Sequence, residues 1–80
     1  MDRPLRLNEI APGKKVRVLD VCGGGRHLRR RFVEMGIVRG AKIKVQRYAP
    51  LGDPMEIRLR CCALSLRLRE AHHIFVEIDD

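Results

Sequence analysis

Residues 32–57 read FVEMGIVRGAKIKVQRYAPLGDPMEI, and the order of events in that stretch decides the fold. A helix ends, a turn reverses the chain, a strand follows, and a proline-bounded loop opens a second strand. Gly36 sits where the helical pattern stops, because glycine enters the left-handed region that terminates a helix without a Cβ penalty. Gly40 comes four residues later, just ahead of a run that alternates apolar and polar. Between the two turn glycines, Ile37 and Val38 are placed to plug a core while Arg39 points outward. PLGDP, residues 50–54, packs two prolines, a glycine and an aspartate into five positions, each with its own mechanical reason to favour a turn.

Outward from this stretch the pattern continues. Residues 41–48, AKIKVQRY, put Ala41, Ile43 and Val45 on one face and Lys42, Lys44 and Gln46 on the other. Residues 55–61, MEIRLRC, do the same with Met55, Ile57, Leu59 and Cys61, so the pair reads as an antiparallel hairpin with a wide tip. Upstream, KVRVLDV at 15–21 begins as a strand, and the doublet Val18-Leu19 breaks its alternation, which predicts either a bulge or burial on both faces near there. Three glycines at 23–25 then form a loop, and Leu28, Phe32 and Met35 make the apolar stripe of an amphipathic helix over 26–35. In the lead-in, Asn8 is placed to cap one helical turn before Pro12-Gly13. Downstream, residues 63–69 alternate as a fourth strand, 68–73 make one helical turn, and IFVEI at 74–78 closes with Ile74, Val76 and Ile78 inward.

Five short strands, one α-helix inserted after the first and short helical turns predict a mainly β domain. Closure into a small barrel would bury two sheet faces and hide the edges. Eighty residues allow one domain with one core, spanning about 7–78 of the chain 1–80. The only aromatics are Phe32, Tyr48 and Phe75, so the core must be aliphatic and large stacking platforms are absent.

Seventeen Lys and Arg against ten acids give a net charge of +7. Such a field attracts phosphates, anionic lipid or an acidic protein face. Residues 1–31 hold nine of the cations against three acids, and residues 71–80 hold none against three. Cys22, Cys61 and Cys62 are an odd number with no secretory leader, which argues against a disulfide framework and for a reducing cytoplasm. No apolar run approaches the ~20 residues that span a bilayer.

The chemistry-bearing residues do not assemble into a familiar site. Ser65 is the one serine and there is no threonine, so no nucleophilic constellation appears. The glycine triplet lacks both the Walker ending and the GxGxxG spacing, so it reads as a connector rather than a phosphate cradle. Cys22, Cys61, Cys62, His27, His72 and His73 are the candidate metal ligands. Adjacent cysteines on a strand point to opposite faces, and there is neither a Cys-x-x-Cys pair nor an acidic cluster suited to a hard cation, so no metal centre and no cofactor are expected. Asp53 is read as a turn former bonding local backbone. A docking surface is expected to combine Leu51, Gly52, Asp53 and Pro54 with Arg26, Arg29, Arg30 and Arg31, whose first-turn positions oppose the helix dipole. Leu51 is either the anchor of that surface or a lid folded over the core.

EMGIVRGAKIKV, then PLGDP, then LSLRLREAHHIFV together resemble the FeoA family of small proteins of bacterial ferrous-iron uptake, over about residues 7–78. Gly36 and Gly40 match its turn glycines, 51–54 its loop, Leu66 and Arg67 its Leu-Arg pair, and Ala71, Ile74 and Val76 the core of its closing strand. Arg39 stands where the family usually has proline, and Cys61 or Cys62 replaces a glycine common before the fourth strand. The resemblance implies an SH3-like β-barrel of about five strands that is not an enzyme. It would act in the cytoplasm, peripheral to the membrane, on FeoB, a permease with a GTP-binding domain. Alternatives are a basic nucleic-acid-binding or transcriptional-regulator-type module, disfavoured by the shortage of aromatics, and a small metal-binding chaperone. Exposed strand edges allow weak self-association.

Overall fold

The computed structural model describes residues 4–60 and 62–79. Strand β1 (Leu5–Arg6) leads into a 3-10 turn (Leu7–Glu9), then β2 (Lys15–Val21), α1 (Gly25–Met35), β3 (Lys42–Tyr48), β4 (Met55–Arg58), β5 (Ala63–Leu66), α2 (Leu68–Ala71) and β6 (Ile74–Ile78). All neighbours are antiparallel, in the order β1-β6-β2-β3-β4-β5.

The expected five-stranded barrel is therefore corrected to an open six-stranded sheet with two helices. Its two ends are β1 and β5, and they do not pair. The 3-10 turn and α2 pack against each other, and each buries an apolar side chain, Leu7 and Ala71. These turns cover the core there with side chains instead of a hydrogen-bonded ladder. The sheet still bends around one core. Val16 and Val18, Ile43 and Val45, Met55 and Ile57, Leu66, and Ile74 and Val76 come from five different strands and are all buried in a single cluster. Two register shifts help the bend, one between Val18 and Asp20, where the sequence predicts a bulge or burial on both faces, and one between Val45 and Arg47, where it gives no sign.

The helix–turn–strand reversal forms as expected. Gly36 has φ +88° and donates its N–H to Val33, while Ile37 N–H reaches Phe32 O at 2.8 Å. The turn then docks on β2, with Gly40 N–H on Val18 O and Val18 N–H on Ala41 O. Ile37 is buried, but Val38 faces solvent, against the expectation that both fill the core. Ile78 is likewise half exposed, because β6 ends at the sheet's rim.

Three element bounds also differ. The 3-10 turn is capped not by Asn8 but from Arg6, whose N–H donates to Glu9 Oε1 at 2.8 Å; Asn8 Oδ1 is buried without a hydrogen-bond partner. Tyr48 O–H holds this lead-in by donating to Ile10 O at 2.6 Å, and burial pushes its phenol up from the ordinary value. Strand β4 stops at Arg58 because Leu59 N–H turns back onto Cys62 O, and the inward position expected for Cys61 lies outside the described residues. Strand β5 stops at Leu66, since Arg67 already begins the cap of α2.

Helix α1 is attached to the core through Phe32, the buried residue of its stripe, with Leu28 and Met35 half-buried beside it; Val33 on the opposite side is 62% exposed. Phe32→Ala is expected to cost about 3–5 kcal/mol, as for an aromatic cavity in a core. Val33→Ala should change stability by no more than about 0.5 kcal/mol. Urea titration of both variants checks the contrast.

Candidate functional site

Leu51 is 97% exposed, which removes the lid reading and leaves an apolar side chain standing free at the tip of the β3–β4 hairpin. The tip closes by two backbone bonds, Gly52 N–H to Ala49 O and Ala49 N–H to Pro54 O, with Gly52 at φ +93° and a cis bond between Asp53 and Pro54. Asp53 does not serve its own turn as expected. Its carboxylate accepts the N–H of Leu68 at 3.1 Å, fifteen residues on, and so caps the first position of α2. Hydrogen-bond partners this distant in sequence leave no local spacing signal.

Glu70 completes that cap, accepting the N–H of Arg67 at 3.1 Å while also receiving Arg31 Nη1 from α1. Partial burial pushes the Glu70 carboxyl up, but hydrogen bonds from Arg31 and the Arg67 backbone, with the charges of Arg31 and Arg69, outweigh it and hold it below the ordinary carboxylate value. The PLGDP loop and α1 are thus joined through one four-residue helix.

The four arginines do not gather on one patch. Arg31 turns toward α2, Arg29 Nη2 reaches Val21 O at 3.5 Å on the other side, and Arg30 points out toward Glu34 with Nε–Oε2 of 3.8 Å. Arg26 is exposed on the first turn. Successive helical positions differ by about 100°, so three consecutive arginines must fan apart. Sequence reasoning missed the apolar part of this face. Val33 and the half-exposed Val38 line a shallow depression with Arg29 and Arg39, and Arg39 lies 3.9 Å from Asp20. The available signal was that Val33 falls off the Leu28–Phe32–Met35 stripe.

The cysteine and histidine candidates have structural roles or stand apart. His73 lies against the glycine loop, with Nδ1 3.1 Å from Cys22 O, while Cys22 N–H donates to His73 O at 2.9 Å. A Cβ on Gly24 would come within 2.4 Å of a Leu28 methyl and 3.1 Å of the His73 ring, so close packing accounts for the glycine there. His72 meets His73 edge-on at 5.7 Å between ring centroids, and its carbonyl accepts Arg6 Nη1. His27 is exposed on α1, and Cys22 and Cys62 are exposed cysteines, Cys22 Sγ lying 3.8 Å from Asp20 Oδ2. Among the described residues no group of three or more His, Cys, Asp or Glu could hold a metal ion; Cys61 lies outside them.

What this surface offers is an exposed anchor on a capped loop, basic side chains and a rigid sheet beneath them, the equipment of a small binding module. The model of the FeoA domain matches residues 5–78, and the chain belongs to that family. It is 39% identical over 74 residues to the Fe(2+) transport protein A/Fe(2+) transporter FeoB fusion protein of Porphyromonas gingivalis; that match takes in 92% of this chain and 9% of the relative, so the chain spans about a tenth of that protein's length. Among solved structures, the FeoA-like protein of Clostridium acetobutylicum superposes with a TM-score of 0.86 at 42% identity, covering 98% of this chain and 90% of that one. FeoA of Chlorobium tepidum gives 0.86 at 42% identity, covering 92% and 70%.

The Glu70 carboxyl is held below its unfolded value. Its contribution to stability is therefore complete above the unfolded value and is lost as pH falls through the folded one. Glu70→Gln, which keeps an acceptor for the Arg67 N–H but loses the charge that pairs with Arg31, should lower stability at pH 7 by less than about 1 kcal/mol. The difference from the parent should shrink as pH drops below the ordinary carboxylate range. Asp53→Ala should cost about 1 kcal/mol, and Asp53→Asn, which keeps an acceptor, less. Denaturant melts at neutral and acid pH measure both.

Proposed function

We propose that the protein is an accessory domain of bacterial ferrous-iron uptake that docks on the cytoplasmic, GTPase-bearing region of a FeoB-type permease and modulates transport. The observation that carries this reading is the Porphyromonas gingivalis relative, whose name places an Fe(2+) transport protein A and the FeoB transporter in one polypeptide. Covalent fusion keeps two modules at high effective concentration, which suits a docking pair. The protein acts from the cytoplasm at the inner face of the membrane, reaching it through its partner. No helix among the described residues is long and apolar enough to cross a membrane.

The docking surface consists of Leu51 with Gly52, Asp53 and Pro54; of the four arginines expected to extend it, Arg26 and Arg30 point outward for a partner, while Arg29 and Arg31 are turned toward β2 and α2. A free apolar side chain on a loop braced at both ends makes an anchor that loses little entropy on binding. The exposed arginines of α1 would meet acids on the partner.

Capture of the folded protein by the immobilised cytoplasmic region of a FeoB-type permease is the expected result. Leu51→Asp combined with Arg30→Glu should reduce it by about tenfold or more, with melting unchanged. Undiminished capture by the folded double variant would show that docking uses another surface. Absence of capture for the parent would remove the docking reading itself.

A further inference from the structure

The outward-facing charges of the sheet are matched across strands at two places. Arg17 of β2 stands opposite Glu77 of β6 with Nε–Oε2 of 3.0 Å, and Arg47 of β3 meets Glu56 of β4 with Nη2–Oε2 of 3.0 Å. Toward the middle of the sheet like charges face each other instead, Arg17 being also opposite Lys42 of β3. Lys15 of β2 is opposite Lys44 of β3, and Lys44 is opposite Arg58 of β4. Like charges directly opposite in a sheet are destabilising, and Lys44 has such a neighbour on both sides. Among the described residues, neither Lys44 nor Arg58 has an ion-pair or hydrogen-bond partner for its side chain.

The row is not an isolated ridge. Lys15, Lys44 and Arg58 line the same depression as Lys42 and Arg60, where Asp79 is the one acid among the described lining residues and approaches Lys42 at 4.0 Å. The lining is predominantly basic. This depression runs into a groove of about 550 Å³ that shares Lys42, Leu59 and Arg60 with it. Met35, Ala41 and Leu59 make the groove apolar, and the turn glycines Gly36 and Gly40 leave its wall without side chains. That volume is within the range of small-ligand pockets.

We propose that the Lys15–Lys44–Arg58 row and the apolar groove beside it bind an extended acidic polypeptide segment carrying an aliphatic side chain. The carboxylates lie along the row, which spans about 10 Å at the usual interstrand spacing of ~4.8 Å, a length that about three extended residues cover. The aliphatic side chain enters the groove against Met35 and Leu59. Phosphates alone, on nucleic acid or lipid, would satisfy the cations but leave the apolar recess without a role. A membrane surface is met by protruding apolar residues, whereas these are sunk below their basic rim. The site lies at the open end of the β3–β4 hairpin, whereas Leu51 is at its tip, so the inference stands apart from the docking surface proposed above.

The test uses the full chain and a fluorescein-labelled decapeptide of glutamates with one central leucine, followed by anisotropy at several salt concentrations. Binding should weaken with salt, weaken when the leucine is replaced by glutamate, and drop at least about tenfold in Lys44→Glu/Arg58→Glu. Arg39→Glu/Arg69→Glu removes the same charge from two exposed positions outside the groove and outside the docking surface and should bind as the parent does. Lys44→Glu alone should also raise the melting temperature by roughly 2–8 °C, because it turns two repulsive cross-strand pairs into attractive ones. Equal loss in the Arg39→Glu/Arg69→Glu variant would reduce the effect to net charge and overturn the site. Tighter binding of an oligothymidylate or of phosphatidylserine vesicles, abolished by the same groove variant, would overturn the polypeptide in favour of a phosphate ligand. An unchanged or lowered melting temperature for Lys44→Glu would remove the repulsion on which the inference rests.

Discussion

Four residues of helix, Leu68–Ala71, hold together what the strand ladder leaves open. The sheet's end strands do not meet, and an unpaired gap over an aliphatic core must be covered by something. Helix α2 does this by burying Ala71 and packing on the 3-10 turn, while the chain just beyond it gives the His72 carbonyl to Arg6 of β1 at 2.8 Å. A helix this short has no stability of its own, because its first turn fixes more dihedrals than it gains bonds. It persists because two N–H groups at its start have side-chain acceptors: Glu70 takes that of Arg67, and Asp53 takes that of Leu68.

That dependence explains why the PLGDP loop has its composition. A loop that only reverses the chain would need Gly52 and the prolines, whose geometry is sufficient. The aspartate is required by an element fifteen residues downstream, and its bond to α2 fixes the loop that presents Leu51. Glu70 extends the same brace to α1 through Arg31. The exposed apolar tip and the basic helix are thus tied to one another by a capping network, while Phe32, with Leu28 and Met35 partly buried beside it, commits α1 to the core.

Periodicity made most of the fold legible. The β-strands at 15–21, 42–48 and 74–78 and the helix ending at Gly36 follow from local pattern, because each is decided by alternation, a stripe or a glycine. What pattern could not show was closure. Whether β5 pairs with β1 depends on what intervenes in space, and a two-residue strand such as β1 is too short to carry any period. The same limit applied to the site. Leu51 was identified as a candidate by its position between turn residues, but its exposure had to be seen. Three consecutive arginines read as one basic face, although helical geometry spreads them toward β2, solvent and α2. The glycine triplet read as a connector, and the ring of His73 supplies the steric reason for it at Gly24.

Charge on this chain is informative only once register is known. A net charge of +7 says that anions are attracted and nothing about where. Arg17 with Glu77 and Arg47 with Glu56 show that several of those cations are used internally, and such exposed pairs add little to stability while keeping the sheet face electrostatically quiet. Against that quiet background the Lys15–Lys44–Arg58 row is a local violation of consistency between sequence and fold, and violations of that kind concentrate where function imposes them. Placing the cations across three strands rather than along one means that no single stretch of sequence looks basic. Residues 15, 44 and 58 become neighbours only through the two ladders that join β2, β3 and β4, so the sheet's register, which exists to bury Val16, Ile43 and Ile57 on the other face, is also what assembles the charged row.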